Sequence, residues 1–145
     1  MDGDHAVSPI GQIDAPGDVD LSVLELAGEP PWQGLTMRAA ASVAAGERLC
    51  AWRMHRDGDV IVRERICGRL TGRKARPGAA PLLVMSHAYP AGTSGSALVD
   101  RSGRVVGIVV ASTGLAGLAE PIEGVRRLRL PALRVGADTP SEPAR

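Results

Sequence analysis

At 145 residues, 44% of them hydrophobic and 23% charged, the chain has one domain's length and enough apolar content to bury a core. A net charge of +1 argues against nucleic acid as an obligate partner, because neutralising phosphates takes a concentrated basic surface. There is no run of about 18 apolar residues and the opening Met1-Asp2-Gly3-Asp4 is acidic, so neither a membrane span nor a signal peptide is expected, which points to the cytoplasm, or to an extracytoplasmic protein if the true N-terminus is missing.

Phenylalanine is absent and Trp32, Trp52 and Tyr89 are the only aromatic residues. The core must therefore come from Val, Leu, Ile and Ala, whose branched members favour strands. In chain order, the alternation from Leu21 to Leu26 reads as a strand. Asp14, Asp18 and Asp20 precede it around Pro16-Gly17, where acidic residues commonly decorate a solvated turn. Glu29-Pro30-Pro31-Trp32-Gln33-Gly34 is a Pro-rich connection. Gly46 to Met54 then predicts a strand, Arg56-Asp57-Gly58-Asp59 a hairpin turn, and Val60 to Leu70 the returning strand. Arg69 to Gly78 carries four basic residues and two glycines and predicts an exposed loop. Its arginines, like those at Arg126, Arg127 and Arg129, are expected to form a solvated face. Pro81 to Met85 is a short buried strand.

Gly92-Thr93-Ser94-Gly95 follows, a small-residue turn that lifts one hydroxyl between two glycines. Glycines there permit positive φ and can aim backbone N–H groups at a common point. An acyl-transfer site needs that combination, a nucleophilic oxygen beside donors that hold an oxyanion. The loop alone is a weak signal, since Gly-Ser turns are common in β-rich proteins. Beyond it come an apolar run from Ser96 to Val99, a turn at Asp100-Arg101-Ser102-Gly103, and a β-branched strand from Arg104 to Ala111. A turn from Ser112 to Gly117 leads to Leu118-Ala119-Glu120-Pro121-Ile122, and Val125 to Leu130 has helical spacing. The tail after Pro131 is expected to be flexible. Roughly six strands fall between Gly46 and Ile122, the number a small closed antiparallel barrel needs.

Cys50 and Cys67 lie on the two strands of the first hairpin. Centred on Asp57, a symmetric register sets Cys50 opposite Glu64, so two reduced, buried thiols are expected. Without C-x-x-C spacing or a nearby histidine they make a poor metal site, and no metal or cofactor is expected. No phosphate-loop or dinucleotide motif is present either.

The order Gly92-Thr93-Ser94-Gly95-Ser96-Ala97-Leu98-Val99, Val105-Val106-Gly107-Ile108 and Gly117-Leu118-Ala119-Glu120-Pro121-Ile122 resembles the C-terminal part of chymotrypsin-like serine proteases, most closely the Deg/HtrA-type branch. There a G-N-S-G-G-P-L-V loop precedes a V-x-G-I strand and a G-x-A-x-P-I segment. Asp20-Leu21-Ser22-Val23-Leu24 similarly resembles the family's D-L-A-V-L strand, whose leading aspartate orients the catalytic histidine. The resemblance implies an all-β, chymotrypsin-like fold: one complete six-stranded antiparallel barrel, the last strands of an incomplete first barrel, and a short C-terminal helix. It divides the chain into first-barrel strands at 1–28 (around Ala6 to Ile13 and Leu21 to Leu26), a linker at 29–45, the barrel at 46–130 and a tail at 131–145. It further implies a trypsin-like serine endopeptidase with Ser94 as nucleophile, Asp20 as orienting carboxylate, the Gly92 and Ser94 amides as oxyanion hole, and Val110, Ala111 and Ser112 lining the specificity pocket. An uncharged lining suits a small or aliphatic substrate side chain.

The base is the difficulty. His55 and His87 do not come at the family's position, and His5, fifteen positions before Asp20, leaves little chain for the intervening hairpin and lacks the small-residue turn that presents the base there; a serine hydroxyl without an imidazole is a poor nucleophile. The chain is therefore expected to enter the first barrel late and to lack its histidine. A partner chain or self-association would then complete the barrel, whose open strand edges invite pairing. The substrate would be a peptide or protein; no membrane partner is expected. The alternative is a catalytically inactive pseudoprotease acting as a binding or regulatory module.

Overall fold

The computed structural model describes residues 8–29 and 32–127. Eight strands are formed: β1 (Pro9–Asp14), β2 (Ser22–Leu26), β3 (Arg48–Asp57), β4 (Val60–Arg76), β5 (Ala79–Met85), β6 (Ala97–Val99), β7 (Val105–Thr113) and β8 (Ala116–Pro121). Alternation in Leu21 to Leu26 and the β-branched run after Arg104 produce strands where the pattern predicts them. β1 and β2 make a separate two-stranded antiparallel sheet, in which Ile13 faces Val23 and Asp14 faces Ser22. The other six close into a barrel in the order β3-β4-β5-β8-β7-β6, every pairing antiparallel, sealed where Cys50 of β3 meets Val99 of β6.

The core is one cluster of Leu49, Ala51, Leu70, Leu83, Met85, Leu98, Val106, Val109 and Ala119 from the barrel strands, with Ala40, Val43 and Tyr89 from the connecting segments. Each such Leu or Val, fully removed from water, stabilises the fold by about 1.5–3 kcal/mol before entropy is charged against it. No helix among the described residues is long and apolar enough to cross a membrane.

Three expectations are corrected. The basic segment after Arg69 is no loop: β4 runs on to Arg76 and pairs with β5, Gly72 facing Val84 and Lys74 facing Leu82. Nor is it a purely solvated face, because Arg73 donates to the Ala40 and Val43 carbonyls (both 2.8 Å) and Arg76 turns toward a buried carboxylate. The first hairpin turns about Gly58 and Asp59 rather than Asp57, with Asp57 opposite Val60 and Gly58 at φ +59°. A two-residue turn with glycine first suits the twist of the flanking strands. The shifted centre places Cys50 opposite Cys67 instead of Glu64, and the two form a disulfide, not free thiols. Where helical spacing begins at Val125, the described chain ends in a short 3₁₀ helix, Ile122–Arg127, that starts at the end of β8. Leu128 to Leu130 and the tail lie outside the described residues.

Candidate active site

The loop that carries Ser94 is anchored on three sides. Thr93 is fully buried and its Oγ1 donates to the Pro90 carbonyl (2.8 Å). Gly95 N donates to Val109 O (2.8 Å) and Val109 N returns a bond to Ser96 O (2.9 Å). From β3, Met54 N donates to Gly92 O (3.0 Å) and Trp52 N to Ser96 Oγ (2.8 Å). Arg53 Nε also reaches Ala91 O (3.0 Å). Positive φ at Gly92 (+92°) and Gly95 (+84°) produces the reversal on either side of the serine. Ser94 is left exposed, and among the described residues its hydroxyl and the N–H groups of Gly92 and Ser94 have no hydrogen-bond partner. Unpaired donors beside an unpaired hydroxyl are the local requirement for stabilising a developing oxyanion.

Gly92 is obligatory for a second reason. A Cβ there would overlap the Met54 carbonyl oxygen, whereas one at Gly95 would meet nothing within 4 Å. Gly95→Ala is therefore expected to cost about 1–2 kcal/mol for its backbone conformation alone. Gly92→Ala should cost more than that, because the β3 contact is lost as well, and urea unfolding of the two variants measures the difference.

Asp20 reaches the site from the other sheet. Val19 is buried, and Gly124 of the closing turn packs against Val19 and Leu21. The Asp20 N–H donates to Glu120 Oε1 (2.9 Å), leaving the Asp20 side chain exposed at the start of β2. Glu120 is 1% exposed and is held by Arg76, whose Nη1 donates to Oε1 (2.6 Å) and whose Nη2 donates to Oε2. The same guanidinium donates to Asp18 O (2.9 Å) and Ala80 O (2.8 Å). One buried ion pair thus ties the segment before β2 to the barrel. The Glu120 charge is thus turned inward and neutralised.

Asp20 and Ser94 line one cavity of about 360 Å³ between the two-stranded sheet and the barrel, together with Leu21, Leu24, Ile108 and Val110. Of the three aspartates near Pro16-Gly17, only Asp20 takes part. Asp14 instead accepts from Ser22 Oγ (2.5 Å) and Gln12 Nε2 (2.6 Å), bonds that lower its pKa, the serine bond most. Val110 lines the cavity; Ala111 and Ser112 do not. The Ser112 hydroxyl accepts from Tyr89 N (2.7 Å) and donates to Tyr89 O (3.0 Å), which fixes the chain entering the Ser94 loop. Sequence reasoning missed Gln12 and Leu24 as lining residues and the Arg76–Glu120 pair as the support of Asp20. An acidic residue inside the otherwise apolar β8 was the available signal for the latter.

Neither described histidine joins this cavity. His55 Nδ1 lies 3.6 Å from Glu64 Oε2 on β4, and His87 stacks edge-on to Tyr89 with ring centroids 5.1 Å apart. His5 lies outside the described residues.

Comparisons with known proteins bear on the family and the fold. Residues 2–108 match the family model described as a trypsin-like peptidase domain. Among solved structures, the HtrA-type protease AlgW with a decapeptide superposes with a TM-score of 0.61 at 20% identity, covering 78% of this chain and 37% of AlgW. AlgW with a tripeptide gives a TM-score of 0.57 at 20% identity over 72% of this chain and 36% of that one. At such identity the likeness is one of fold, and the chain spans little more than a third of those proteins' length. No curated protein matches the chain. With a nucleophile-type serine loop on a closed antiparallel barrel and a family match over most of its length, the chain belongs to the trypsin-like peptidase domain family.

Proposed function

We propose that this chain is a serine endopeptidase domain in which Ser94 attacks the scissile carbonyl and the Gly92 and Ser94 amides hold the resulting oxyanion. Asp20 orients the imidazole that takes the Ser94 proton and returns it to the leaving amine. The observation that carries this reading is the shared cavity of Asp20 and Ser94, two residues far apart in sequence that no local pattern would bring together. Its apolar lining of Leu21, Leu24, Ile108 and Val110 fits a small or aliphatic substrate side chain, since an unpaired charge there would be costly. Peptides bound to the HtrA-type neighbours support a peptide substrate.

Because His55 and His87 lie elsewhere, the base comes from His5 or from a segment outside residues 1–145, on this polypeptide or on another. We read β1 and β2 as first-barrel strands, residues 29–45 as the linker, and 46–130 as the catalytic barrel. Ile10 (63% exposed) and Leu24 (50%) leave apolar surface on the small sheet for a partner strand or a second copy. The Cys50–Cys67 disulfide favours an oxidising compartment over the cytoplasm expected from the sequence.

A fluorophosphonate probe tests the reading on the chain alone and on the chain with the product of the adjacent coding segment. Labelling that Ser94→Ala abolishes is expected in at least one condition. Labelling of the chain alone assigns the base to His5, and labelling only of the mixture assigns it to the partner. A folded chain that stays unlabelled in both would favour the second reading, a non-catalytic module of the same fold, which the displaced histidines already make specific.

A further inference from the structure

At the far end of β6 from the serine loop lies a second cleft of about 330 Å³, lined by Arg38, Glu47, Arg48, Arg69, Asp100, Arg101, Ser102 and Arg104. Its carboxylates are already spent. Glu47 accepts a two-point bond from Arg38 (2.8 and 3.0 Å), which with the Ala44 N–H holds its pKa down to about 2. Asp100, 6% exposed, accepts from Arg38 Nη1 (3.2 Å), Arg104 Nε (3.0 Å) and the Ser102 and Arg104 amides (2.9 and 3.0 Å). Burial works against its ionisation, yet these bonds keep its pKa below the usual value. Arg38 and Arg104 are thereby neutralised and form a fixed floor.

The remaining three guanidiniums are not neutralised. Arg69 donates one Nη1 bond to the Gly46 carbonyl (2.7 Å), and the side chains of Arg48 and Arg101 have no hydrogen bond or ion pair among the described residues. Three uncompensated cations therefore face one concavity on a rigid base, with the Ser102 hydroxyl beside them. A single carboxylate would leave most of that charge unbalanced. A multiply charged phosphate balances it, and its oxygens match the planar donor fork of arginine. The volume sits at the small end of ligand-sized pockets, room for a diphosphate-sized group.

We propose that this cleft binds a compact, multiply charged phosphate group, free as pyrophosphate or carried as the diphosphate of a nucleotide, with Arg48, Arg69 and Arg101 as its ligands. The site is separate from the Ser94 cavity and does not depend on peptidase activity. Isothermal titration of the whole chain with sodium pyrophosphate at low salt should give saturable, one-site binding. Arg48→Ala/Arg101→Ala should weaken it by roughly tenfold or more, the scale of losing charge-assisted hydrogen bonds, without moving the thermal midpoint of these exposed positions. A parallel titration with ADP separates the sources: tighter binding than pyrophosphate assigns a nucleotide, equal or weaker binding assigns the free anion. The proposal is overturned by a linear, unsaturable heat, by equal affinity for sulfate at matched ionic strength, or by unchanged binding in the double variant.

Discussion

Replacing Glu120 by alanine is expected to cost about 3–5 kcal/mol of folding stability, the loss seen when one partner of a buried ion pair is removed. The carboxylate is 1% exposed and its partner guanidinium 12%, so the Arg76 charge would remain desolvated with only the Asp18 and Ala80 carbonyls for company. The Asp20 N–H would lose its acceptor at the same time. Combined replacement, Arg76→Met with Glu120→Leu, should recover much of the loss, because apolar side chains of similar volume remove the stranded charge along with the bond. Urea unfolding of the two variants against the parent measures both effects. A single-variant loss under about 1 kcal/mol would mean that water reaches the pair and that it does not support the Asp20 segment. The double variant, once folded, separates stability from positioning: Asp20 would keep its side chain but lose its backbone anchor, so probe labelling at Ser94 should fall even though the barrel is intact.

The second large effect concerns the disulfide. Cys50 and Cys67 are 17 positions apart, and closing a loop of that size in the unfolded chain is worth about 3 kcal/mol in the chain-entropy account. Cys50→Ala/Cys67→Ala should therefore unfold at distinctly lower urea than the oxidised parent. Adding dithiothreitol should lower the parent's midpoint toward that of the variant and leave the variant's unchanged. The hairpin itself should survive, since its ladder runs from Arg48–Arg69 to Asp57–Val60 independently of the bridge. Two titratable thiols in unfolded protein purified without reductant would contradict the bridge and remove the case for an oxidising compartment.

Short-range pattern was informative wherever the physics is itself short-range. Side-chain alternation in Leu21 to Leu26 and the β-branched stretch from Val105 to Val110 specify strands because successive side chains on an extended backbone point to opposite faces. The Gly92-Thr93-Ser94-Gly95 turn was recognisable because only glycine adopts its positive φ angles without strain. Asp20 was singled out from Asp14 and Asp18 only by the resemblance of Asp20-Leu21-Ser22-Val23-Leu24 to the family's aspartate-led strand, since the residues alone fit a solvated turn.

Misreadings arose where a residue's role depends on a partner distant in the chain. Four basic side chains and a glycine made the second half of β4 resemble a loop, but its backbone bonds go to β5, and Arg73 and Arg76 find carbonyls and a carboxylate that no local window contains. The cysteine pairing failed by a few positions because the hairpin centre depends on which turn residue takes φ +59°, a choice made by the twist of the strands it joins.

Composition and periodicity by themselves were thus enough for a β-rich chain with about six barrel strands and a small-residue serine turn, and the family resemblance added the aspartate at the head of the Leu21 strand. The register of the β3–β4 hairpin decided that Cys50 would meet Cys67, and tertiary packing decided that Arg76 would bury against Glu120, that Ser94 and Asp20 would share one cavity, and that His55 and His87 would lie outside it. The reason is physical. Backbone preferences act over a few residues, whereas ion pairs, disulfides and cavities exist only once segments separated by tens of residues have been brought within a few ångströms, as Arg76 and Glu120 are across 44 positions.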